Sequence, residues 1–74
     1  MDDPAQVLDL ARQARDHAAH GNLVEARRCW SRSRKALRRA NRAARRDHSL
    51  MCEVIRVTSK LVDVKADPVL RGMA

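Results

Sequence analysis

Apolar residues recur at helical spacing through the first twenty positions of the chain. At ~100° per residue, one side of this segment carries the apolar set Val7, Leu10, Ala11, Ala14 and Ala18. Asp3, Pro4 and Gln6 resemble a helix start, with an oxygen cap, a proline in the first turn and a reciprocal capping partner. Gly21 supplies a left-handed stop. The pattern predicts a first helix over about 4–20.

The next segment divides into two halves on a helical projection. Asn22 and Glu25 form a capping box, and no glycine or proline follows until Pro68. When the azimuth of Leu23 about the helix axis is set to 0°, six small or apolar residues fall between ~260° and 340°. Three more lie at the edge of this range. The six are Ala26, Trp30, Ser33, Leu37, Ala40 and Ala44, flanked by Cys29, Ala36 and Ala43. We predict a second helix over about 22–46.

Ten cations occupy the other half of this projection, between ~20° and 180°. They are Arg27, Arg28, Arg32, Arg34, Lys35, Arg38, Arg39, Arg42, Arg45 and Arg46. We refer to these ten residues as the arginine face.

The segment from Leu50 to Lys65 is rich in β-branched residues, which raises the alternative of a strand. Strict alternation fails, whereas a helical projection gathers the apolar residues into ~180°. These are Leu50, Met51, Val54, Ile55, Val57, Thr58, Leu61, Val62 and Val64. We predict a third helix over about 49–65, either separate from the second or continuous with it, because Asp47 or Ser49 can cap a new helix but nothing forces a break.

After this segment, Asp67 and Pro68 predict a short final turn that ends at Gly72. The whole chain, 1–74, is therefore expected to form one all-α domain, a small helical hairpin or a three-helix bundle. Alanine dominates the inward faces of the first two helices, while the apolar face of the third is too broad for a thin hairpin to cover. A homodimer would cover it.

Charge is concentrated in the second helix. The chain has a formal net charge of +7, yet the stretch from Ala26 to Arg46 carries +10 and no acid, so the remainder carries −3. A solvated surface is the usual explanation for a charged helix face. A long run of one sign, however, costs stability through self-repulsion unless an anion relieves it, which favours a polyanion partner.

Guanidinium groups hold phosphate oxygens in bidentate pairs, so the arginine face is suited to a nucleic-acid backbone. Asn41 is the one amide near this face, and Trp30, the only aromatic residue, is predicted to point to the apolar side as a core anchor. Base reading and base stacking are thus poorly provided for. We therefore expect binding to double-stranded RNA or DNA by shape, with RNA favoured.

No enzyme, cofactor or metal site is predicted. The sequence offers no nucleophile with a base, no carboxylate pair and no glycine-rich loop. His17 and His20 have a spacing that can share a metal, and Cys29 could lie nearby, but no third ligand is fixed by spacing. Cys29 and Cys52 are expected to be reduced thiols.

We expect no membrane partner, because no apolar stretch approaches the ~18 residues of a span and the alanine-rich face lacks bulky groups for insertion. The start "MDDPAQ" is unlike a signal peptide, so an intracellular, cytoplasmic location is expected. The stretch "RSRKALRR" is also compatible with nuclear import.

The segment "DLARQARDHAAHGNLVEARRCW" resembles a tetratricopeptide hairpin or the opening of a microtubule-interacting and trafficking domain. The matching residues are Ala14, Gly21, Asn22, Glu25, Ala26 and Trp30, all within 9–30. These families bind peptides or partner helices. The resemblance implies an alternative function, a protein-interaction adaptor with an apolar groove between the first and third helices.

A second resemblance is to the nodavirus suppressors of RNA silencing, which are short, dimeric, helical proteins that bind double-stranded RNA. It is carried by the overall layout and by "VTSKLVDVKADPVLRG", where a helix ends before a final turn that begins with proline. It implies RNA rather than DNA as the partner.

Overall fold

A computed structural model describes residues 4–71, which form helices and connecting turns without any strand. The helices are α1 (Pro4–Ala19), α2 (Leu23–Ala44), α3 (His48–Lys65) and the single turn α4 (Pro68–Arg71). The all-α prediction is confirmed, and the chain is a three-helix bundle closed by a short fourth helix. Asp3 and Gly72, which entered the predicted helix ends, lie outside the described residues.

A glycine turn ends α1 as predicted. Gly21 has a φ of 79°, in the left-handed region. Its N–H donates to the carbonyl of Ala18 at 3.0 Å, while the N–H of Asn22 donates to the carbonyl of His17 at 2.8 Å. These two bonds define a Schellman motif, which satisfies carbonyl groups at the end of the helix and reverses the chain.

The predicted capping box at the start of α2 is wrong. Asn22 occupies the cap position, but its side chain makes no cap hydrogen bond. The turn holds Asn22 at φ −89° and ψ 73°, outside the extended geometry from which a cap side chain reaches the helix N–H groups. Glu25 pairs instead with Arg28, at 2.9 Å.

A turn separates α2 from α3, which settles the alternative of one continuous helix. The N–H groups of Arg45, Arg46 and Asp47 bond to carbonyls three residues back, at 3.3–3.4 Å, so the helix ends in a tight turn two residues earlier than predicted. Asp47 is extended, with φ −137° and ψ 107°, and its carboxylate accepts a hydrogen bond from the N–H of Leu50 at 3.2 Å. Asp47 is therefore the cap of α3.

The predicted final turn is also present. The carboxylate of Asp67 accepts a hydrogen bond from the N–H of Val69 at 3.0 Å, and the carbonyl of Asp67 accepts from Leu70 and Arg71 at 3.1 Å. Pro68 starts the turn, where its missing N–H costs no hydrogen bond. Leu70 thereby reaches the core, with 6% of its surface exposed.

The helices pack in a compact up-down-up order. Each of α1, α2 and α3 contacts the other two, and α4 packs against α1 and α3. Short turns join the three long helices, so consecutive ones run antiparallel. The result is an elongated body of 39 × 20 × 16 Å, with its length along the helices.

Small residues dominate the core between α1 and α2. Six alanines of these two helices are buried, and two of them, Ala40 and Ala44, pack with Val54 of α3; the six are Ala11, Ala14, Ala26, Ala36, Ala40 and Ala44. Alanine lets the two backbones approach closely but buries little apolar area, so each larger core residue contributes a large share of the total. Those larger residues are Val7, Leu8, Val54, Leu61, Val64 and Leu70.

The buried stripes are rotated slightly from the predicted ones. On α1, Leu8 is buried with 8% exposure although it was not predicted, while Leu10 is half-buried. On α2, Cys29 and Ala36 move from the flank to the centre of the buried stripe, whereas Ala43, also predicted at the flank, is exposed. The third helix is the reason, since Leu61 and Val64 share one cluster with Leu8, Cys29 and Ala36.

The buried part of α3 is narrower than its apolar half. Val54, Leu61 and Val64 are buried, but Ile55 and Val62 are 58% and 59% exposed. One face of α3 covers α1 and α2 at once, and the bundle has no fourth long helix to cover the remainder. The sequence-based expectation of an uncovered apolar face on α3 is therefore confirmed.

Candidate nucleic-acid interface

All ten residues of the arginine face are exposed. Eight of them lie on α2, from Arg27 to Arg42, and the other two, Arg45 and Arg46, lie in the turn that follows. The backbone of Arg45 keeps helical angles, φ −59° and ψ −26°, so its position continues the course of the helix. The predicted alignment of the cations is confirmed, with the last pair belonging to the turn rather than to the helix.

The opposite side of α2 fixes the direction in which this face points. Six small residues there are buried, with exposures of 0–5%. They are Ala26, Cys29, Ser33, Ala36, Ala40 and Ala44. Their spacing of three or four residues marks one stripe along the helix. Because α1 and α3 cover this stripe, α2 cannot rotate about its axis, and the cations are held toward solvent.

Few acids accompany the cations. Glu25 pairs with Arg28 at 2.9 Å, and both side chains are well exposed, at 42% and 64%, so water screens the pair. No carboxylate occurs in the sequence between Ala26 and Arg46. The cations stand on successive turns, where like charges three or four residues apart repel each other. The face therefore carries a large excess of positive charge.

Shallow hollows lie between the cations. One, of about 260 Å³, is lined entirely by Lys35, Arg38, Arg39 and Arg42 near the middle of the face. A second, of about 250 Å³, lies toward α1 and is lined by Gln6, Leu10, Arg32, Lys35 and Arg39. Several guanidinium groups surrounding one hollow can hold a single oxyanion from more than one side.

Trp30 lies on the apolar side, as predicted, but it is not fully covered by the core. It packs against the core but remains half-buried, and its indole lines an open cleft of about 360 Å³ at the border of the arginine face. The cleft lies between α2 and the C-terminal part of the chain. Lys65, at the end of α3, places its Nζ 6.0 Å from the centre of the Trp30 ring.

Two cations of this cleft, Lys65 and Arg71, were not among the predicted site residues. Both are exposed and lie beside Arg27 and Arg34 of the arginine face. They are 31 or more residues away from those arginines along the chain. No local pattern in the sequence reports such a contact, since it depends on how α3 and α4 return along α2.

The histidines and cysteines do not converge on a metal site. The Nδ1 of His20 donates to the carbonyl of Asp16 at 2.7 Å, and the Sγ of Cys52 lies 3.9 Å from the Nε2 of His48. Cys29 is buried, Cys52 is exposed, and both are free thiols. Within residues 4–71, no group of three or more His, Cys, Asp or Glu side chains is placed to hold a metal ion.

The alternative adaptor function predicted an apolar groove between α1 and α3. These two helices pack directly against each other and leave a shallow depression of about 240 Å³, lined by Pro4, Ala5, Glu53, Arg56 and Val57. Large apolar side chains are exposed elsewhere, at Ile55 and Val62 of α3 and at Leu23 and Val24 at the start of α2. In the part of the chain that the structure describes, no helix is both long and apolar enough to cross a lipid bilayer.

Comparison with known proteins identifies no relative. The sequence matches no protein-family model, and neither a curated protein nor a solved structure is significantly similar to the chain. The tetratricopeptide, trafficking-domain and nodavirus resemblances therefore stay predictions, and the function is argued from geometry and charge.

Proposed function

We propose that this protein is a non-enzymatic nucleic-acid-binding protein that holds the phosphates of a duplex on its arginine face, with double-stranded RNA as the favoured ligand. One observation carries the proposal: all ten cations of the run are exposed, eight of them on α2, whose opposite side is buried. Such a ligand places the protein inside the cell, in the cytoplasm or the nucleus.

Repulsion among its cations makes the unbound arginine face energetically unfavourable. Burial of the alanine stripe fixes the cations in one row, where like charges repel each other and no acid occurs in the sequence between Ala26 and Arg46. A phosphate backbone removes this repulsion and releases its own condensed counterions when the cations replace them. Both effects favour binding to a polyanion over binding to an isolated anion.

The dimensions of the face suit a duplex. From Arg27 to Arg46 the run extends roughly 28 Å at ~1.5 Å per residue. A duplex carries one phosphate charge per ~1.7 Å of its axis, so this length spans about 16 phosphates on both strands. Six to ten contacts are a reasonable share for a helix lying on one side of the duplex.

Sequence reading is not expected from this surface. Phosphate contacts position a protein without identifying bases, and Asn41 is the only amide side chain within the run. Recognition then depends on the shape of the duplex and the spacing of its phosphates, the common mode for double-stranded RNA. We therefore favour RNA over DNA and expect little dependence on sequence.

We further propose that the protein acts as a homodimer through an apolar row on α3. Met51, Ile55, Thr58 and Val62 follow one another at spacings of four, three and four residues, the pattern of a helix-pairing seam. Ile55 and Val62 are 58% and 59% exposed. The hydroxyl of Thr58 donates to the carbonyl of Val54 at 2.8 Å, so its polar group is satisfied within the helix.

A dimer would place a second arginine face in the same complex. Two connected faces raise the effective concentration of each for the same duplex, which strengthens binding without any new contact. The two copies also repel each other through their net charge of +7. We therefore expect dimerisation to be favoured by salt or by the bound nucleic acid.

The test is a gel-shift titration at low salt with duplex RNA, duplex DNA and a single strand of equal length. We expect the protein to shift duplex RNA most strongly. The triple variant Arg38→Glu, Arg39→Glu, Arg42→Glu should abolish the shift, because it inverts the charge around the central hollow. Failure of all three nucleic acids to shift would overturn the proposal.

A matched control separates this site from the total charge of the protein. The variant Arg12→Glu, Arg56→Glu, Lys60→Glu lowers the net charge from +7 to +1, as the first variant does, but its three positions are exposed on α1 and α3. It should retain most of the binding. Equal loss in both variants would contradict a localised interface.

The alternative function is a helical protein-protein interaction adaptor. The seam on α3 favours it, since a partner helix could cover Ile55 and Val62 in place of a second copy. A partner held by apolar contacts would bind with little dependence on salt and would tolerate the triple arginine variant. Binding of duplex RNA should weaken as salt rises and should be lost in the triple arginine variant. The same variant therefore distinguishes the two functions.

A further inference from the structure

The cleft beside Trp30 combines an aromatic wall with a cluster of cations. The indole forms an apolar wall, and Leu70, buried in the core, adds a second apolar contact. Four cations surround these apolar residues: Arg27, Arg34, Lys65 and Arg71. The remaining lining residue, Ser31, has a hydroxyl, and none of the lining residues is an acid.

This composition specifies the chemical class of the ligand. An inorganic anion would use the cations but not the indole, whereas a neutral aromatic molecule would use the indole and leave the cations without a role. A nucleotide carries both a flat base and a phosphate. Bases stack on aromatic side chains regardless of sequence, and guanidinium groups bind phosphate oxygens with charge-assisted hydrogen bonds.

The dimensions agree with this assignment. The cleft, at about 360 Å³, lies within the range of small-molecule sites and is open to solvent along one side. The Nζ of Lys65 lies 6.0 Å from the centre of the indole ring. The ammonium lies over the ring, so a base that stacks on this face displaces the flexible Lys65 side chain, which can then pair with the phosphate joined to that base.

We propose that this cleft binds one nucleotide unit, with its base against Trp30 and its phosphate among the surrounding cations. The unit is either a free nucleoside monophosphate or the unpaired end of a strand whose duplex lies on the arginine face. Only the second source rests on the proposed function, since Arg27 and Arg34 belong to both the cleft and that face.

The chain contains its own probe for this site. Trp30 is its only aromatic residue, so intrinsic fluorescence reports on the cleft alone. The full chain is titrated with adenosine 5′-monophosphate, with adenosine and with inorganic phosphate, using excitation at the red edge of tryptophan absorption to avoid the adenine band. We expect a saturable change with the monophosphate and at least about tenfold weaker binding of adenosine, the size expected when a charge-assisted contact is lost.

Inorganic phosphate is expected to compete with the monophosphate without reproducing its fluorescence change. A fluorescence change that phosphate alone produces in full would overturn the nucleotide assignment in favour of a simple anion site. No saturable change with the monophosphate would overturn the proposal altogether.

Variants of the cleft complete the test without disturbing Trp30, which packs against the core. The double variant Lys65→Glu, Arg71→Glu should weaken monophosphate binding at least about tenfold. The control Arg56→Glu, Lys60→Glu makes the same change of charge outside the cleft and should bind within about twofold of the unmodified chain. Circular dichroism verifies that both fold. Equal binding by both variants would contradict the proposed site.

Two duplexes distinguish the two possible sources of the nucleotide. One duplex has blunt ends, and the other has a single unpaired nucleotide at its end. A fluorescence change specific to the overhang supports a strand end as the ligand, whereas a change with the monophosphate alone supports the free nucleotide. The Arg38→Glu, Arg39→Glu, Arg42→Glu variant should lose duplex binding and keep the monophosphate response. Failure of the arginine face and failure of the cleft are therefore distinguishable.

Discussion

The hydroxyl of Ser33 donates a hydrogen bond to the main-chain carbonyl of Val7 at 2.7 Å, linking α2 to α1 inside the core. Both residues are almost completely buried, with exposures of 1% and 0%. The other members of the core cluster that contains Val7 include Ala11, Ala14 and Ala36, whose methyl groups provide no directional contact. This bond is therefore a specific determinant of the register between the two helices, and so of the direction in which the arginine face points.

Two substitutions of Ser33 should distinguish the stability lost with this hydrogen bond from the stability lost by overpacking the interface. Ser33→Ala is expected to destabilise the fold by about 0.5–1.5 kcal/mol, because one hydrogen bond is lost. The Val7 carbonyl remains part of the hydrogen-bond pattern of α1, so its loss of the hydroxyl does not leave it without a partner. Ser33→Leu should cost more, since the alanine-lined interface has no room for it. Urea unfolding measures both, with exposed Ser31→Ala as the control. Equal stability of the alanine variant and the unmodified chain would contradict a role for the bond.

Gly21 provides a test of backbone geometry alone. Its φ of 79° disfavours any residue with a Cβ, while a Cβ built at this position meets no atom within 4 Å. Gly21→Ala should therefore cost roughly 1–2 kcal/mol through the left-handed backbone and nothing through packing. Gly21→Asn should cost less, because asparagine tolerates this region. Thermal unfolding that ranks asparagine below alanine would contradict this explanation.

The two caps of the long helices should respond differently to alanine. Asp47 accepts a hydrogen bond from the N–H of Leu50, so Asp47→Ala is expected to cost about 1 kcal/mol. Asn22 makes no such bond, and Asn22→Ala should change the free energy of unfolding by less than about 0.5 kcal/mol. Denaturant titration of the two single variants compares them directly. A larger loss for Asn22 would show that the cap assignment is wrong.

The α3 seam predicts a change in oligomeric state. Ile55→Glu should prevent self-association, because it places a charge in the centre of the apolar row without entering the core. Sedimentation equilibrium at moderate salt measures the molecular weight, which should fall from that of a dimer to that of one chain. The exposed Cys52→Ser variant on another side of α3 serves as control. A monomeric unmodified chain, at high protein concentration and with duplex RNA bound, would rule out the dimer.

Features that depend on neighbouring residues in the chain could be predicted from sequence. The glycine stop at Gly21, the helical character of 48–65 and the alignment of the cations follow from local geometry and spacing. The eight cations on α2 stay on one side of the helix whatever packs against the other side. This is why the central surface of the candidate site was available from the sequence.

Features that depend on distant contacts could not be predicted. The exact rotation of α2 was missed, with Ala36 buried and Ala43 exposed, because the position of α3 selects which small residues are covered. The cleft at Trp30 was missed for the same reason, since Lys65 and Arg71 reach it from the far end of the chain. The periodicity of a single sequence does not show which distant residues come into contact in the fold.

The salt dependence of duplex RNA binding tests the central claim most directly. A face that neutralises six to ten phosphates predicts a slope of log K against log salt of about −5 to −9 and a loss of roughly 10³ to 10⁵ in affinity between 50 and 200 mM. The Arg38→Glu, Arg39→Glu, Arg42→Glu variant should bind too weakly to measure, while each single Arg→Ala variant should lower the slope by about one. Duplex binding with a slope near zero would contradict the arginine face as the interface.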